Sequence, residues 1–181
     1  MKQHLILIGM MGTGKTSVGR ALSERLGLPM TDTDRMIEQT TGQTITQLFK
    51  EQGEQGFRDI ETQVLSQVLA EAPRVIATGG GIVLRDENVE RMKQRGWVVC
   101  LQASAEEICQ RLAGDTNRPL LHGDLKQRVR QLMQERAGKY DFADWKVETT
   151  GRTASEVAEE IEQWWRREMD VAFKHAPLRS S

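Results

Sequence analysis

The chain has 181 residues, 25 of them Lys or Arg and 26 Asp or Glu, for a formal net charge of −1. With 38% hydrophobic and 28% charged residues it can bury a real core, and it has no basic excess with which to hold nucleic acid by charge. No apolar run approaches the roughly 20 residues of a membrane span. The opening MKQHLILIG has neither the apolar stretch nor the cleavage site of a secretory signal, so the chain reads as cytoplasmic, with no membrane partner. Cys100 and Cys109 have no second metal-ligand pair nearby and read as buried structural thiols.

Short apolar runs alternate with longer amphipathic ones, the pattern that a parallel sheet covered by crossover helices writes into sequence. The predicted strands are His4 to Ile8, Pro29 to Thr31, Val75 to Thr78, Trp97 to Leu101 and Trp145 to Thr149. After the second of these, residues 34–70 offer successive helical patterns with no strand, interrupted by Gly53 and Gly56, which predicts a small helical insertion. Ser104 with Glu107, and Thr153 with Glu156, have the spacing of capping boxes and predict two helix starts. Between them, Gly114, Asn117, Pro119 and Gly123 deny regular structure around Arg118, so residues 113–124 read as a mobile loop. After Thr153, residues Val157, Ala158, Ile161, Trp164 and Trp165 share one helical face, which places two tryptophans near the core. The pattern fades past Met169, leaving one domain over residues 1–169 and a tail at 170–181.

The first strand runs directly into Gly9-Met10-Met11-Gly12-Thr13-Gly14-Lys15-Thr16, which matches G-x-x-x-x-G-K-[ST] and leads into a helical pattern. This is a phosphate-binding loop in the context it requires. Glycines let backbone amides point inward around phosphates, the helix start adds its positive dipole end, Lys15 reaches the β and γ oxygens, and Thr16 ligates magnesium. A second acid at the end of a later strand usually completes the magnesium shell, yet Val75-Ile76-Ala77 is followed by Thr78 and three glycines. The candidates are therefore Asp32 and Asp34. Alternation along an extended segment sends both the same way, so that one can serve the metal while the other accepts a proton from a substrate hydroxyl. The alternative is that they cap the helix that follows.

Three arginines stand out by context. Arg58 lies just after the Gly53 and Gly56 break, Arg118 lies in the irregular loop, and Arg136 comes late in a helix that leads to Tyr140. A guanidinium can hold a carboxylate or phosphate bidentately, and the unobstructed Gly79-Gly80-Gly81 run permits close approach of a small ligand. A cationic nucleotide cradle, an alcohol positioned by a carboxylate and a mobile arginine together describe phosphoryl transfer by positioning and electrostatics.

Taken in order, GMMGTGKT, Asp32-Thr33-Asp34, Gly56-Phe57-Arg58 with Glu61, Thr78 to Gly81, Arg118-Pro119-Leu120-Leu121, and Glu135-Arg136 followed by Tyr140 resemble the shikimate kinases, over Leu5 to about Met169. The resemblance implies a three-layer α/β P-loop kinase fold of the nucleoside monophosphate kinase-like group. It implies a five-stranded parallel sheet in the order 2-3-1-4-5 with helices on both faces, a substrate-binding insertion and a lid at about 113–124. It implies ATP-dependent phosphorylation of the 3-hydroxyl of shikimate, with Mg2+ held by Thr16 and Asp32. Lys15, Asp34 and Arg118 would be catalytic. Gly12, Thr13, Gly14, Lys15, Thr16 and Ser17, with Arg111, Arg118 and Arg152, would bind ATP, the last and Arg111 flanking the adenine. Asp34, Arg58, Gly79, Gly80, Gly81 and Arg136 would bind shikimate, with Gly80 donating from its backbone, and the enzyme would be a monomer. A gluconate-type kinase suits two arginines beside a glycine run less well than an acceptor carboxylate does. A nucleotide-binding protein without catalysis needs a broken catalytic set, and Lys15, Asp32, Asp34 and Arg118 are all intact.

Overall fold

The computed structural model describes residues 2–113 and 124–174. The loop expected around Arg118, and Arg118 itself, lie outside the described residues. Five strands, β1 (His4–Ile8), β2 (Met30–Asp32), β3 (Val75–Ala77), β4 (Gly96–Gln102) and β5 (Trp145–Glu148), form one sheet in the order β2-β3-β1-β4-β5. Every pairing is parallel, as the alternation of short apolar and long amphipathic segments predicts. The helices are α1 (Lys15–Leu26), α2 (Thr33–Thr41), α3 (Ile45–Ala70), α4 (Asp86–Arg95), α5 (Ala105–Leu112), α6 (Leu125–Glu135) and α7 (Ala154–Lys174), with a short 3-10 turn at Ile82–Leu84.

Strand β1 is buried on both faces, which is why HLILI reads as a continuous apolar run. Ile6 and Ile8 pack with Ile76, Val98 and Cys100 under α2, α3 and α4. Leu5 and Leu7 pack with Val75, Val99 and Leu101 under α1 and α7. A third cluster, from Met10 and Met11 to Ile108, Leu112, Val129 and Leu132, ties α5 and α6 to the phosphate-binding loop. Trp164 stacks on Trp145 with ring centroids 5.2 Å apart and meets Trp97 edge-on at 6.1 Å, so the tryptophans of α7 pack on the sheet. Helix α7 runs to Lys174, beyond the point at Met169 where the sequence pattern fades.

Two predicted capping boxes come out differently. Thr153 and Glu156 exchange both hydrogen bonds, at 2.8 Å and 3.2 Å. At Ser104 only the hydroxyl caps, accepting from the Glu107 amide at 3.1 Å. The Ser104 amide donates to Thr150 at 2.9 Å, and Glu107 pairs with Arg111. Of the two thiols, Cys100 is buried as expected and burial pushes its pKa up to about 11, whereas Cys109 is only partly buried.

The register decides where the site forms. Asp32 and Leu7 both align with Ala77, so β2, β3 and β1 end level with one another. Their next residues, Thr33, Thr78 and, one step later, Gly9, therefore emerge side by side at the carboxyl edge, where open α/β sheets bind ligands.

Candidate active site

The loop from Gly9 to Gly14 wraps the end of β1 and turns into α1 through Gly14, which has a φ of 94°. The Lys15 side chain is buried, and its ammonium donates to the carbonyls of Gly9 and Met10, each at 2.8 Å. Thr13 hydrogen-bonds the Met10 carbonyl at 2.7 Å, and Ser17 is exposed on α1. Behind the loop, Arg111 donates to the Gly12 carbonyl at 3.2 Å and to the Thr149 carbonyl at 2.9 Å. Arg152 donates to the Glu148 carbonyl at 3.0 Å and pairs with Glu160. The two arginines therefore hold consecutive carbonyls, the last of β5 and the first beyond it.

Asp32 does two jobs at once. One carboxylate oxygen accepts the Thr16 hydroxyl at 2.6 Å. The other caps α2, accepting from the amides of Asp34 at 3.1 Å and Arg35 at 3.3 Å. The expectation that Asp32 and Asp34 alternate along a strand is corrected here, because the chain turns helical at Thr33 and Asp34 lies in the first turn of α2. The consequence is a sharper separation than alternation gives. Asp32 faces the phosphate-binding loop, while the Asp34 carboxylate lies against Gly79, where a Cβ would strike both it and the carboxylate of Glu61.

Thr16 and Asp32 present a hydroxyl and a carboxylate side by side, and both are hard oxygen donors. Among the described residues there is no cluster of three or more His, Cys, Asp or Glu side chains that could cage a metal alone. That set fits Mg2+, which takes one or two protein oxygens and completes its shell with water and substrate phosphates.

Across the glycine run from this pair sit two buried arginines. The Arg58 guanidinium occupies the space that a side chain at Gly81 would need. It is held by Glu61 at 2.8 Å and Glu54 at 3.2 Å and lies over Phe57 and Phe49. Arg136 caps the end of α6 and donates to the Gly80 carbonyl at 3.1 Å. Tyr140 donates to the same carbonyl at 2.8 Å. The predicted meeting of Arg58 and Arg136 at Gly79 to Gly81 is thus observed. The Gly80 group seen in use is its carbonyl, where a donating backbone was expected.

Glu61 and Tyr140 are the functional-looking groups to which motif reading assigned no role. Burial, and after it the nearby Asp34 carboxylate, push the Glu61 pKa up against the pull of Arg58 and Arg136. The spacing of Arg58 and Glu61 was the available signal, since residues three apart on a helix meet. Nothing in the sequence indicated that Tyr140 reaches Gly80, sixty positions earlier.

Comparison with known proteins agrees with this geometry. A family profile described as "Shikimate kinase" matches residues 11–166. The chain belongs to the shikimate kinase family. It is 46% identical over 160 residues to a shikimate kinase of Thermodesulfovibrio yellowstonii, covering 88% of this chain and 92% of that one. It superposes on a shikimate kinase from Acinetobacter baumannii, solved in complex with shikimate, with a TM-score of 0.89 and 40% identity, covering 93% of this chain and 95% of that one. A gluconokinase from Sinorhizobium meliloti covers 97% of this chain and is itself fully covered, with a TM-score of 0.61 but 16% identity, a likeness of fold alone. Among the described residues no helix is long and apolar enough to cross a membrane.

Proposed function

We propose that this member of the shikimate kinase family transfers the γ-phosphoryl group of ATP to the 3-hydroxyl of shikimate. The observation that carries the choice of acceptor is Arg136. It is 3% exposed, and among the described residues the hydrogen bonds seen for its guanidinium go to neutral groups, the Gly80 carbonyl and the Met10 sulfur, with the Glu61 carboxylate as an electrostatic neighbour. A buried guanidinium bonded only to neutral partners is costly unless a ligand brings the missing anion. The shikimate carboxylate supplies it, with Arg58 on the other side of the glycine run.

In this reading the amides of Gly12, Thr13 and Gly14, with Ser17 and the start of α1, bind the phosphates of ATP. Lys15 transfers its ammonium from the loop carbonyls to the β and γ oxygens. Arg111 and Arg152 hold the adenine edge at the turn after β5. Thr16 and Asp32 would hold Mg2+, which would supply positive charge against that developing on the phosphates. Asp34, in the first turn of α2, orients the attacked hydroxyl and takes its proton. Arg118 is assigned to the transferred phosphoryl group from its motif alone. The reading includes a monomeric enzyme in the cytoplasm.

The test is coupled ADP release with shikimate, gluconate and no acceptor. Turnover only with shikimate is expected, and comparable turnover with gluconate would overturn the acceptor assignment.

A further inference from the structure

The Gly80 carbonyl is a single acceptor shared by two donors on neighbouring parts of the chain. Arg136 reaches it at 3.1 Å from the end of α6, and Tyr140 reaches it at 2.8 Å from the turns that follow. Gly80 itself is confined, because a Cβ there would lie 3.1 Å from the Met11 amide nitrogen, 3.3 Å from the Arg136 guanidinium and 3.4 Å from the Gly9 carbonyl oxygen. Gly80 therefore lies close to the phosphate-binding loop, and its carbonyl is held by these two side chains.

Packing alone does not fix those side chains. Arg136 and Tyr140 both border a cavity of about 190 Å3, together with Met10, Cys100, Met133 and Lys146. A cavity of that size exceeds the roughly 150 Å3 that holds a benzene-sized molecule, so packing on this side of the two residues is incomplete. Hydrogen bonds have to do what packing does elsewhere. Besides Gly80, the polar neighbours seen for the Arg136 guanidinium among the described residues include the Met10 sulfur at 3.7 Å and the Tyr140 hydroxyl itself. Tyr140 is partly buried, and that burial pushes its pKa above the ordinary value, with the Arg136 charge and its hydrogen bond to the hydroxyl opposing the shift.

From these observations we infer that Tyr140 is a positioning residue for acceptor recognition: its hydroxyl pins the Gly80 carbonyl so that this carbonyl holds one end of the Arg136 fork and leaves the other end aimed at the acceptor carboxylate. The inference rests on the carboxylate clamp proposed above. It assigns Tyr140 no contact with substrate and no part in proton transfer. Because the phosphate-binding loop meets Gly80 through Met11 and Gly9 rather than through Tyr140, the effect of removing the hydroxyl is confined to the acceptor side.

Tyr140→Phe keeps the ring and removes the hydroxyl. Its KM for shikimate is expected to rise about 5- to 20-fold, the value of losing one hydrogen bond to a group that orients a charge. The KM for ATP and the midpoint of urea unfolding should stay within about twofold and a few per cent of wild type. A purely structural role moves the unfolding midpoint and both KM values together. Two further measurements separate the possible failures. Wild type is titrated with shikimate and with its carboxamide, and so are Arg136→Lys, Tyr140→Phe and the double variant. If wild type does not prefer the acid, or Arg136→Lys keeps that preference, the clamp itself is wrong. If the clamp holds, the Tyr140 inference requires that Tyr140→Phe weaken acid over amide and that it add less than about twofold in the Arg136→Lys background. A Tyr140→Phe enzyme with unchanged preference, or effects that add in full, overturns it.

Discussion

Two aspartates separated by one residue sit in different surroundings because one carboxylate has two oxygens and the backbone turns between the residues. Asp32 spends one oxygen on the amides of Asp34 and Arg35 and the other on Thr16, so it is a helix cap and a proposed metal ligand at once. The two duties separate by substitution. Asn caps helices as well as Asp does but lacks the charge, so Asp32→Asn is expected to keep its unfolding midpoint and lose activity that added Mg2+ partly restores. Asp32→Ala should also lose ~0.5 to 2 kcal/mol of stability, the ordinary cost of a deleted cap. If Asp32→Asn responds to a magnesium titration as Asp34→Asn does, Asp32 is not at the metal. The two arginines differ as well. Arg58 already has Glu61 and Glu54, whereas Arg136 has carbonyl and sulfur partners. Losing one side of a charge-assisted clamp costs about 2 to 4 kcal/mol, or about 30- to 1000-fold in affinity. Arg136→Lys should therefore weaken shikimate binding within that range and more than Arg58→Lys does, measured by titration. An equal loss in both would place the carboxylate midway between them.

Helix α3 shows how an element carries a site. It continues from Ile45 to Ala70 but is interrupted at Gly53, where φ is 69° and ψ is −178°, a region open to glycine and strained for other residues. The interruption redirects the chain just before Phe57, Arg58 and Glu61, which face the core and the glycine run. Gly56, the other glycine expected to break the pattern, is helical. A Cβ at Gly53 meets nothing within 4 Å, so the penalty for Gly53→Ala is one of backbone conformation alone. It is expected to cost ~1 to 3 kcal/mol in urea unfolding and to raise the KM for shikimate, because a straightened α3 moves Arg58 off Gly81. Unchanged stability and KM would mean that the break is not what aims Arg58. At this scale the sequence is legible where local physics decides. The phosphate-binding loop, the apolar strands and the Thr153 cap are written in short windows. Residue contacts made by tertiary closure are not, so Tyr140 at Gly80 and the diversion of the Ser104 amide to Thr150 escape a reading by motif. The alternation argument for Asp32 and Asp34 failed for a related reason, since the boundary between β2 and α2 falls between them and boundaries depend on caps.

Across the whole molecule, the sheet separates chemistry from stability. The described site residues gather around the carboxyl edge of the sheet, while His4 opens β1 at the opposite end and is fully buried. Among the described residues its Nδ1 has no hydrogen-bond partner, and its Nε2 lies 3.3 Å from the Leu69 carbonyl and 3.1 Å from the Gln3 amide. Burial pushes its pKa below the ordinary value of 6.5. The Leu69 carbonyl and Glu71 oppose that shift, and Arg74 and Arg95 add to it. A folded-state pKa below the unfolded one means that the unfolded chain binds the extra proton, so this contribution is intact above 6.5 and is lost as pH falls below it. Thermal unfolding followed from about pH 7.5 down to about pH 5 should show a falling Tm in wild type. His4→Gln, which has no proton to bind, should flatten the slope. Glu61 works in the other direction, because its raised pKa makes the folded state hold the proton longer and removes stability as pH rises. That slope is common to both proteins and cancels in their difference. The difference therefore isolates His4, and its expected sign is a wild type that loses more stability than His4→Gln on acidification while shikimate turnover per folded enzyme stays equal. An identical pH slope in the two proteins, or a turnover that follows the substitution, would show that His4 does not titrate with folding or that the far end of the sheet is coupled to the site.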